Sequence, residues 1–190
     1  MEIYYCDRAT ACYLPGESDT AVISITNPGE TASLSEEWGA VLRVAFLDTE
    51  YSEVDIQRLG RGWASQSQGF PAKEHALAII RFILNLPEDQ FKRVVIHCEE
   101  GRCRSAALAK WLGEQTDTAP VRLQMDEEGN VPGEEGEIAQ FNQTVYALLM
   151  QPSRFDALVQ IRAPREEPLW KKLLSWAREG WRPVPPMRSR

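Results

Sequence analysis

The stretch 94–109, VVIHCEEGRCRSAALA, restricts the fold of this chain more than any other part of the sequence. Apolar β-forming residues lead into His97 and Cys98, a loop with a central glycine follows, and a run of helix formers begins at Ser105 and ends at Gly113. This order predicts a strand, a tight loop and a helix. Because the start of a helix leaves about four backbone N–H groups unpaired and carries partial positive charge, the stretch predicts an anion site.

The residue types in the loop suit a tetrahedral oxyanion such as phosphate. Gly101 permits backbone angles that turn successive N–H groups inward, and the planar guanidinium of Arg104 can hold two oxygens at once. These groups and the helix terminus favour a thiolate at Cys98, and the Ser105 hydroxyl can donate a hydrogen bond to that sulfur. We therefore predict that Cys98 is a nucleophile assisted by Ser105. The predicted phosphate-binding loop comprises Glu99, Glu100, Gly101, Arg102, Cys103 and Arg104.

The motif His97-Cys98-x-x-Gly101-x-x-Arg104-Ser105 resembles the signature loop of the cysteine-based protein phosphatases, the tyrosine and dual-specificity group. The specific part of the match is the spacing of five residues between Cys98 and Arg104. Looser similarity to small bacterial and phage-type members extends over residues 21–160. Cys103 departs from the pattern, since many relatives carry Ser or Gly there. The resemblance implies a protein-tyrosine-phosphatase-like fold and hydrolysis of protein phosphotyrosine through a phosphocysteine, with phosphoserine and phosphothreonine left open.

The remaining segments indicate one α/β domain, for which 190 residues with 43% hydrophobic content are sufficient. We predict a central, mostly parallel sheet of four or five strands with helices on both faces. The predicted strands are 2–6, 21–25, 41–47 and 94–98, and the predicted helices are 33–38, 72–86, 105–113, 138–149 and 155–161. Residues 55–69 are interpreted as a mobile loop. The predicted catalytic domain spans 1–163, and a basic amphipathic helix with a Pro-rich tail spans 164–190.

A phosphatase also needs a proton donor for the leaving oxygen, and Asp48 is the predicted general acid. It follows the predicted strand 41–47 directly, and parallel strands bring their carboxyl ends to one edge of the sheet, where Cys98 also lies. The position is also where the similar family places its acidic residue. Glu50, Glu53 and Asp55 remain alternatives, and a turn residue bonded to its own backbone is the non-catalytic alternative for Asp48.

Several residues near the motif admit structural roles. We interpret His97 as a structural residue whose ring bonds the loop backbone, and His75 as structural too. Cys103 is either a small buried residue or a partner for a reversible disulfide with Cys98. The segment after Gly113, with its run of acidic residues, is interpreted as a solvated loop.

Three classes of function remain open from the sequence alone. The first is the phosphomonoester hydrolase, acting on a phosphoprotein or on a nucleotide, RNA-end or inositol phosphate. The second is a catalytically silent phospho-binding module, against which the intact Cys98, Arg104 and Ser105 argue. The third is a sulfur transferase of rhodanese type, whose loop is a residue shorter and does not require the arginine.

Composition narrows the classes of partner. A net charge of −7 and only two histidines, without paired Cys/His spacing, argue against nucleic-acid binding and a zinc site, and no cofactor is expected. The sequence has no apolar run of the roughly 18 residues that a membrane span needs and no signal-peptide pattern at its start. Four cysteines without a disulfide framework suit a reducing compartment. We expect a cytoplasmic monomer.

Overall fold

Residues 1–160 are described in the computed structural model of this chain. The predicted amphipathic helix and Pro-rich tail, 164–190, lie outside the described residues, as do the last residues of the predicted catalytic domain. The boundary between residues 163 and 164 therefore stays a prediction. Within the described part, no helix is long and apolar enough to cross a membrane.

The described chain forms a single six-stranded sheet of order β3-β2-β4-β1-β5-β6. All neighbouring strands are parallel except the edge pair β5–β6, which is antiparallel. This confirms the α/β class and the mostly parallel sheet. The strands are β1 (Glu2–Asp7), β2 (Thr20–Thr26), β3 (Ala40–Ala45), β4 (Arg93–Cys98), β5 (Val121–Leu123) and β6 (Gly133–Glu135).

The predicted count of four or five strands is wrong, because β5 and β6 lie in the segment interpreted as a solvated acidic loop. Each of the two strands is only three residues long, too short for an alternating pattern to show. All residues of β6 are exposed, including Glu134 and Glu135, so the strand carries no apolar signal. Pairing with β5 in the tertiary structure, and not local preference, makes it a strand.

Helices pack on both faces of the sheet, as predicted. On one face, Ile23 of β2 and Ile96 of β4 share a core with Leu108, and all three are fully buried. Each such side chain contributes roughly 1.5–3 kcal/mol. On the other face, Val22 and Val95 pack with Ala11. The helices are α1 (Arg8–Tyr13), α2 (Glu53–Leu59), α3 (Trp63–Gln66), α4 (Lys73–Leu84), α5 (Arg104–Thr116), α6 (Gln143–Met150) and α7 (Asp156–Gln160).

The segment 55–69, interpreted from the sequence as a mobile loop, is largely helical. Ser52 and Asp55 form a capping box that starts α2, in which the Ser52 Oγ accepts from the Asp55 N–H and the Asp55 carboxylate accepts from the Ser52 N–H. After α2, Trp63 is 8% exposed and its ring meets the Tyr51 ring edge-on, with centroids 4.9 Å apart. The predicted helix 33–38 is absent, since this segment has no helical hydrogen bonding.

The parallel strands β1, β2, β3 and β4 have their carboxyl ends at one edge of the sheet. This edge positions the candidate site. Cys98 is the last residue of β4, and Asp7 is the last residue of β1, its partner in the ladder. The chain leaves β2 at Thr26 and β3 at Ala45 on the same edge. Loops after these strands therefore surround the start of α5, as the parallel topology predicts.

Candidate active site

The loop between β4 and α5 requires glycine at residue 101. Gly101 has φ +69°, in the left-handed region. A Cβ atom there would lie 2.4 Å from the backbone N of Asp7 and 2.6 Å from the backbone carbon of Cys6. The loop therefore crosses directly over the end of β1, and a side chain at this position would collide with backbone that cannot rotate away.

The charged side chains of the loop turn away from its centre. Glu99, Glu100 and Arg102 are all exposed. Glu99 forms an ion pair with Arg8 at 3.3 Å, and Glu100 forms one with Arg102 at 3.1 Å. Within the described chain, no backbone N–H of residues 99–103 donates to a protein acceptor. These donors are available to an anion.

Cys98 and Ser105 face each other across the loop. The Cys98 Sγ lies 3.1 Å from the Ser105 Oγ, and both residues are wholly buried. Cys98 is at the carboxyl end of β4, and Ser105 is in the first turn of α5. The hydroxyl can therefore donate a hydrogen bond to the sulfur and stabilise negative charge on it.

Arg104 is held by one end of its guanidinium, which leaves another edge unpaired. Its Nη1 donates to the backbone oxygen of Phe46 and to the Oδ1 of Asn27, the latter at 3.1 Å. The side chain is only 2% exposed, yet its Nε has no hydrogen-bond partner among the described residues. A buried N–H without a partner is costly, so this edge is suited to receive an oxyanion.

Asp48 lies beside that unpaired edge. Its Oδ2 is 3.7 Å from the Arg104 Nε, and its Oδ1 accepts a hydrogen bond from the Asn142 Nδ2 at 2.7 Å. The side chain is 32% exposed, so it lies at the margin between the buried arginine and solvent. The structure therefore brings together Cys98, Ser105, Arg104 and Asp48, residues predicted from two separate segments.

The alternative acids are engaged elsewhere. Glu50 accepts from the backbone N of Gln143 at 2.8 Å, at the start of α6. Glu53 is 3.9 Å from Arg154, and Asp55 caps α2. In the described structure none of the three forms a hydrogen bond or ion pair with the cysteine, serine or arginine of the loop.

Two asparagines in this arrangement were missed by sequence reasoning. Asn27 belongs to a segment whose Asn-Pro-Gly composition indicates only a turn. Asn142 falls inside the predicted helix 138–149, but it is in fact the N-cap residue of α6, where its Oδ1 accepts from the Val145 N–H. Asparagine is a favoured N-cap, and this is the signal that could have moved the predicted helix start to residue 143.

The two histidines have different surroundings. Neither ring nitrogen of His97 makes a hydrogen bond of normal geometry to a described residue, but the ring has a weaker polar contact with the Cys98 backbone, which acts to raise its pKa. The ring is fully buried, and this burial, with Arg43 and Arg8 nearby, lowers its pKa to about 4. His75 instead accepts from the Ala72 N–H and packs on Phe46, with ring centroids 4.9 Å apart.

All four cysteines of the sequence are free in the described structure. Cys103, immediately before Arg104, is partly buried and lies near both Asp48 and Cys98. Burial and the Asp48 carboxylate raise the pKa of the Cys103 thiol to about 11, so this thiol is protonated at neutral pH. Within residues 1–160, no group of three or more His, Cys, Asp and Glu side chains could hold a metal ion.

Comparison with protein-family models, with curated proteins and with solved structures finds no match to this chain.

Proposed function

We propose that this chain is a phosphomonoester hydrolase that acts through a phosphocysteine intermediate on Cys98. The observation that carries the proposal is the buried Nε of Arg104, which has no hydrogen-bond partner, lies 3.7 Å from the Asp48 Oδ2, and shares a loop with the Cys98–Ser105 pair. An anion-binding edge beside a sulfur whose charge a hydroxyl can stabilise is suited to phosphoryl transfer. The resemblance of the loop to the cysteine-based phosphatases points to the same chemistry.

The proposed reaction consists of two successive displacements at phosphorus. The Cys98 thiolate attacks phosphorus while Arg104 and the loop N–H groups hold the non-bridging oxygens. The P–O bond to the leaving group breaks, and that oxygen takes the proton of Asp48. Water then attacks the phosphocysteine and gives a proton to the Asp48 carboxylate, the S–P bond breaks, and Ser105 donates a hydrogen bond to the departing sulfur.

The buried positions of Cys98 and Arg104 mean that a phosphate cannot reach them without movement at the mouth of the site. Their fractional exposures are 0% and 2%. The Asp48 side chain is 32% exposed beside the buried Arg104, so we expect the Asp48 segment to shift outward on binding. Closure around the bound group then excludes water and strengthens its interactions with the arginine.

Charge around the mouth favours a phosphoprotein over a polyanionic substrate. Glu99 and Glu100 are exposed on the loop itself, and each is paired with an arginine, but the arginine of Glu99, Arg8, is shared with Glu30, so that three glutamates face two arginines. Negative charge beside the phosphate site repels the additional phosphates of a nucleotide, an RNA end or an inositol phosphate. Among protein phosphates, the resemblance favours phosphotyrosine.

Turnover of p-nitrophenyl phosphate between about pH 5 and 8 tests the proposal. The wild-type protein should release phosphate, whereas Cys98→Ser should lose turnover and still bind vanadate, because the loop survives and a serine hydroxyl is not ionised there. Cyanide-dependent thiosulfate consumption, measured in parallel, should be absent. Vanadate binding without wild-type turnover would instead indicate a phospho-binding module, and thiosulfate consumption would indicate a sulfur transferase.

A further inference from the structure

Asn142 connects three parts of the site with its backbone and side chain. Its backbone N donates to the Cys103 carbonyl at 3.1 Å, so the start of α6 is fastened to the loop. Its side-chain Oδ1 accepts from the Val145 N–H at 2.9 Å, and its Nδ2 donates to the Asp48 Oδ1 at 2.7 Å. The residue is 2% exposed. Its amide is therefore fixed in one orientation, with the NH₂ group towards Asp48.

This fixed orientation determines which oxygen of Asp48 can carry a proton. Because the Asn142 NH₂ group is a donor, the Asp48 Oδ1 must act as an acceptor. A proton on the carboxyl group is then placed on Oδ2, the oxygen that lies 3.7 Å from the Arg104 Nε. We propose that Asn142 is a positioning residue that directs the proton-bearing oxygen of Asp48 towards the phosphate; this role rests on the hydrolase function proposed above.

The charges around Asp48 agree with proton transfer from Oδ2. Arg104 of α5 and the Cys103 thiol of the loop are the charged and titratable groups that face it. A phosphate dianion bound at the Nε edge adds negative charge next to Oδ2 and favours its protonated form. The proton then passes from Oδ2 to the leaving oxygen as the P–O bond breaks.

Asn142 also caps α6, and two substitutions separate this role from the positioning of Asp48. Serine is as good an N-cap as asparagine, but it is too short to donate to Asp48. Alanine supplies neither interaction. Asn142→Ser should therefore keep the thermal midpoint near that of the wild type, whereas Asn142→Ala should lower it. If Asn142 positions Asp48, both variants should share one kinetic defect despite their different stabilities.

The experiment measures kcat and KM for phenyl phosphate, whose leaving group needs a proton, and for p-nitrophenyl phosphate, whose leaving group hardly does. In Asn142→Ser, kcat for phenyl phosphate should fall by about 10²-fold, the typical effect of a small misplacement of a catalytic group. KM should change little, and p-nitrophenyl phosphate turnover should be nearly retained. Asn85→Ser, at the exposed end of α4, is the matched control and should behave as the wild type.

The outcomes distinguish this role from the proposed function. A selective loss with phenyl phosphate in both Asn142 variants supports the positioning role. Equal losses of kcat with the two substrates overturn the positioning role, and so do kinetics in Asn142→Ser that equal those of the wild type. In either case, turnover by the wild-type protein still supports the hydrolase function. If the wild type hydrolyses neither substrate, the hydrolase function fails, and the role of Asn142 fails with it.

Discussion

The Asn27 Oδ1 accepts a hydrogen bond from the Arg104 Nη1 at 3.1 Å, although the two residues are 77 positions apart in the sequence. Together with the Phe46 carbonyl, Asn27 holds one end of the guanidinium and leaves the Nε edge for an anion. The orientation of the arginine therefore depends on residues that follow β2 and β3, and not only on the loop that carries it.

Asn27→Ala should weaken vanadate binding by about tenfold, since a hydrogen bond to a charged group contributes about 1.5 kcal/mol or more. The loss should appear in KM as well as in kcat, because in the proposed mechanism the arginine holds the phosphate before and during the reaction. Asn27→Asp keeps an acceptor for Nη1 but adds a carboxylate beside the guanidinium and next to Glu30, so it should weaken vanadate binding as well. Titration with vanadate measures both, and an affinity in Asn27→Ala equal to that of the wild type would show that the Phe46 carbonyl suffices.

Asp48→Asn should reduce kcat/KM by about 10²–10⁴-fold, the typical contribution of a general acid. The wild-type pH profile should be bell-shaped, and the substitution should flatten its basic limb, which reports loss of the acidic proton. Since asparagine can still accept from the Asn142 Nδ2, the local geometry should be retained. The reduction should be larger for an alkyl phosphate than for p-nitrophenyl phosphate. An unchanged basic limb would transfer the acid role to Glu50, Glu53 or Asp55.

Gly101→Ala should destabilise the protein and abolish phosphate binding. The left-handed backbone costs a non-glycine residue about 1–2 kcal/mol, and the collision with the backbone of Asp7 adds to this. Gly129→Ala is a suitable control, since that residue has φ +84° but its added Cβ would first meet a tyrosine hydroxyl at 3.2 Å. Denaturant unfolding should show a clearly larger decrease in the free energy of unfolding for Gly101→Ala than for Gly129→Ala. Equal decreases would contradict the close approach of the loop to β1.

Acid should destabilise the fold through His97. Burial lowers its pKa from 6.5 to about 4, so in this pH window the unfolded chain binds a proton that the folded protein does not. The free energy of unfolding should therefore fall as pH decreases from 6.5 to 4, by on the order of 3 kcal/mol, and should not change through this group at higher pH. His97→Asn should be less stable at pH 7 but lose less stability on acidification. Parallel pH curves for the two proteins would contradict this prediction.

Oxidation should damage Cys98 before a disulfide with Cys103 protects it. Because the pKa of the Cys103 thiol is raised to about 11, little thiolate is present at pH 7 to attack an oxidised Cys98. After mild peroxide treatment, mass spectrometry should find mainly sulfinic or sulfonic Cys98 in the wild type. Asp48→Asn removes a charge that raises the pKa of Cys103 and should increase the fraction of the 98–103 disulfide. A dominant disulfide in the wild type at pH 7 would contradict the prediction.

The sequence by itself determined the elements whose cause is local. Neighbouring residues in the sequence predict the strand β4, the Gly101 turn and the helix α5. The relative positions of Cys98, Arg104 and Ser105 could therefore be predicted from the sequence alone. The parallel topology also predicted that Asp48 lies at the same edge of the sheet, because strand order and direction constrain strand ends.

Only the tertiary structure decided how the arginine and the acid are held. Asn27 and Asn142 reach the site through turns and caps, and their sequence signals indicate only those local roles. The strand β6 exists because β5 offers it a partner, and α2 and α3 are stabilised by packing of Trp63 against Tyr51. Such contacts join residues far apart in the chain. Burial of side chains and pairing of strands stabilise these contacts, and no local sequence pattern predicts either.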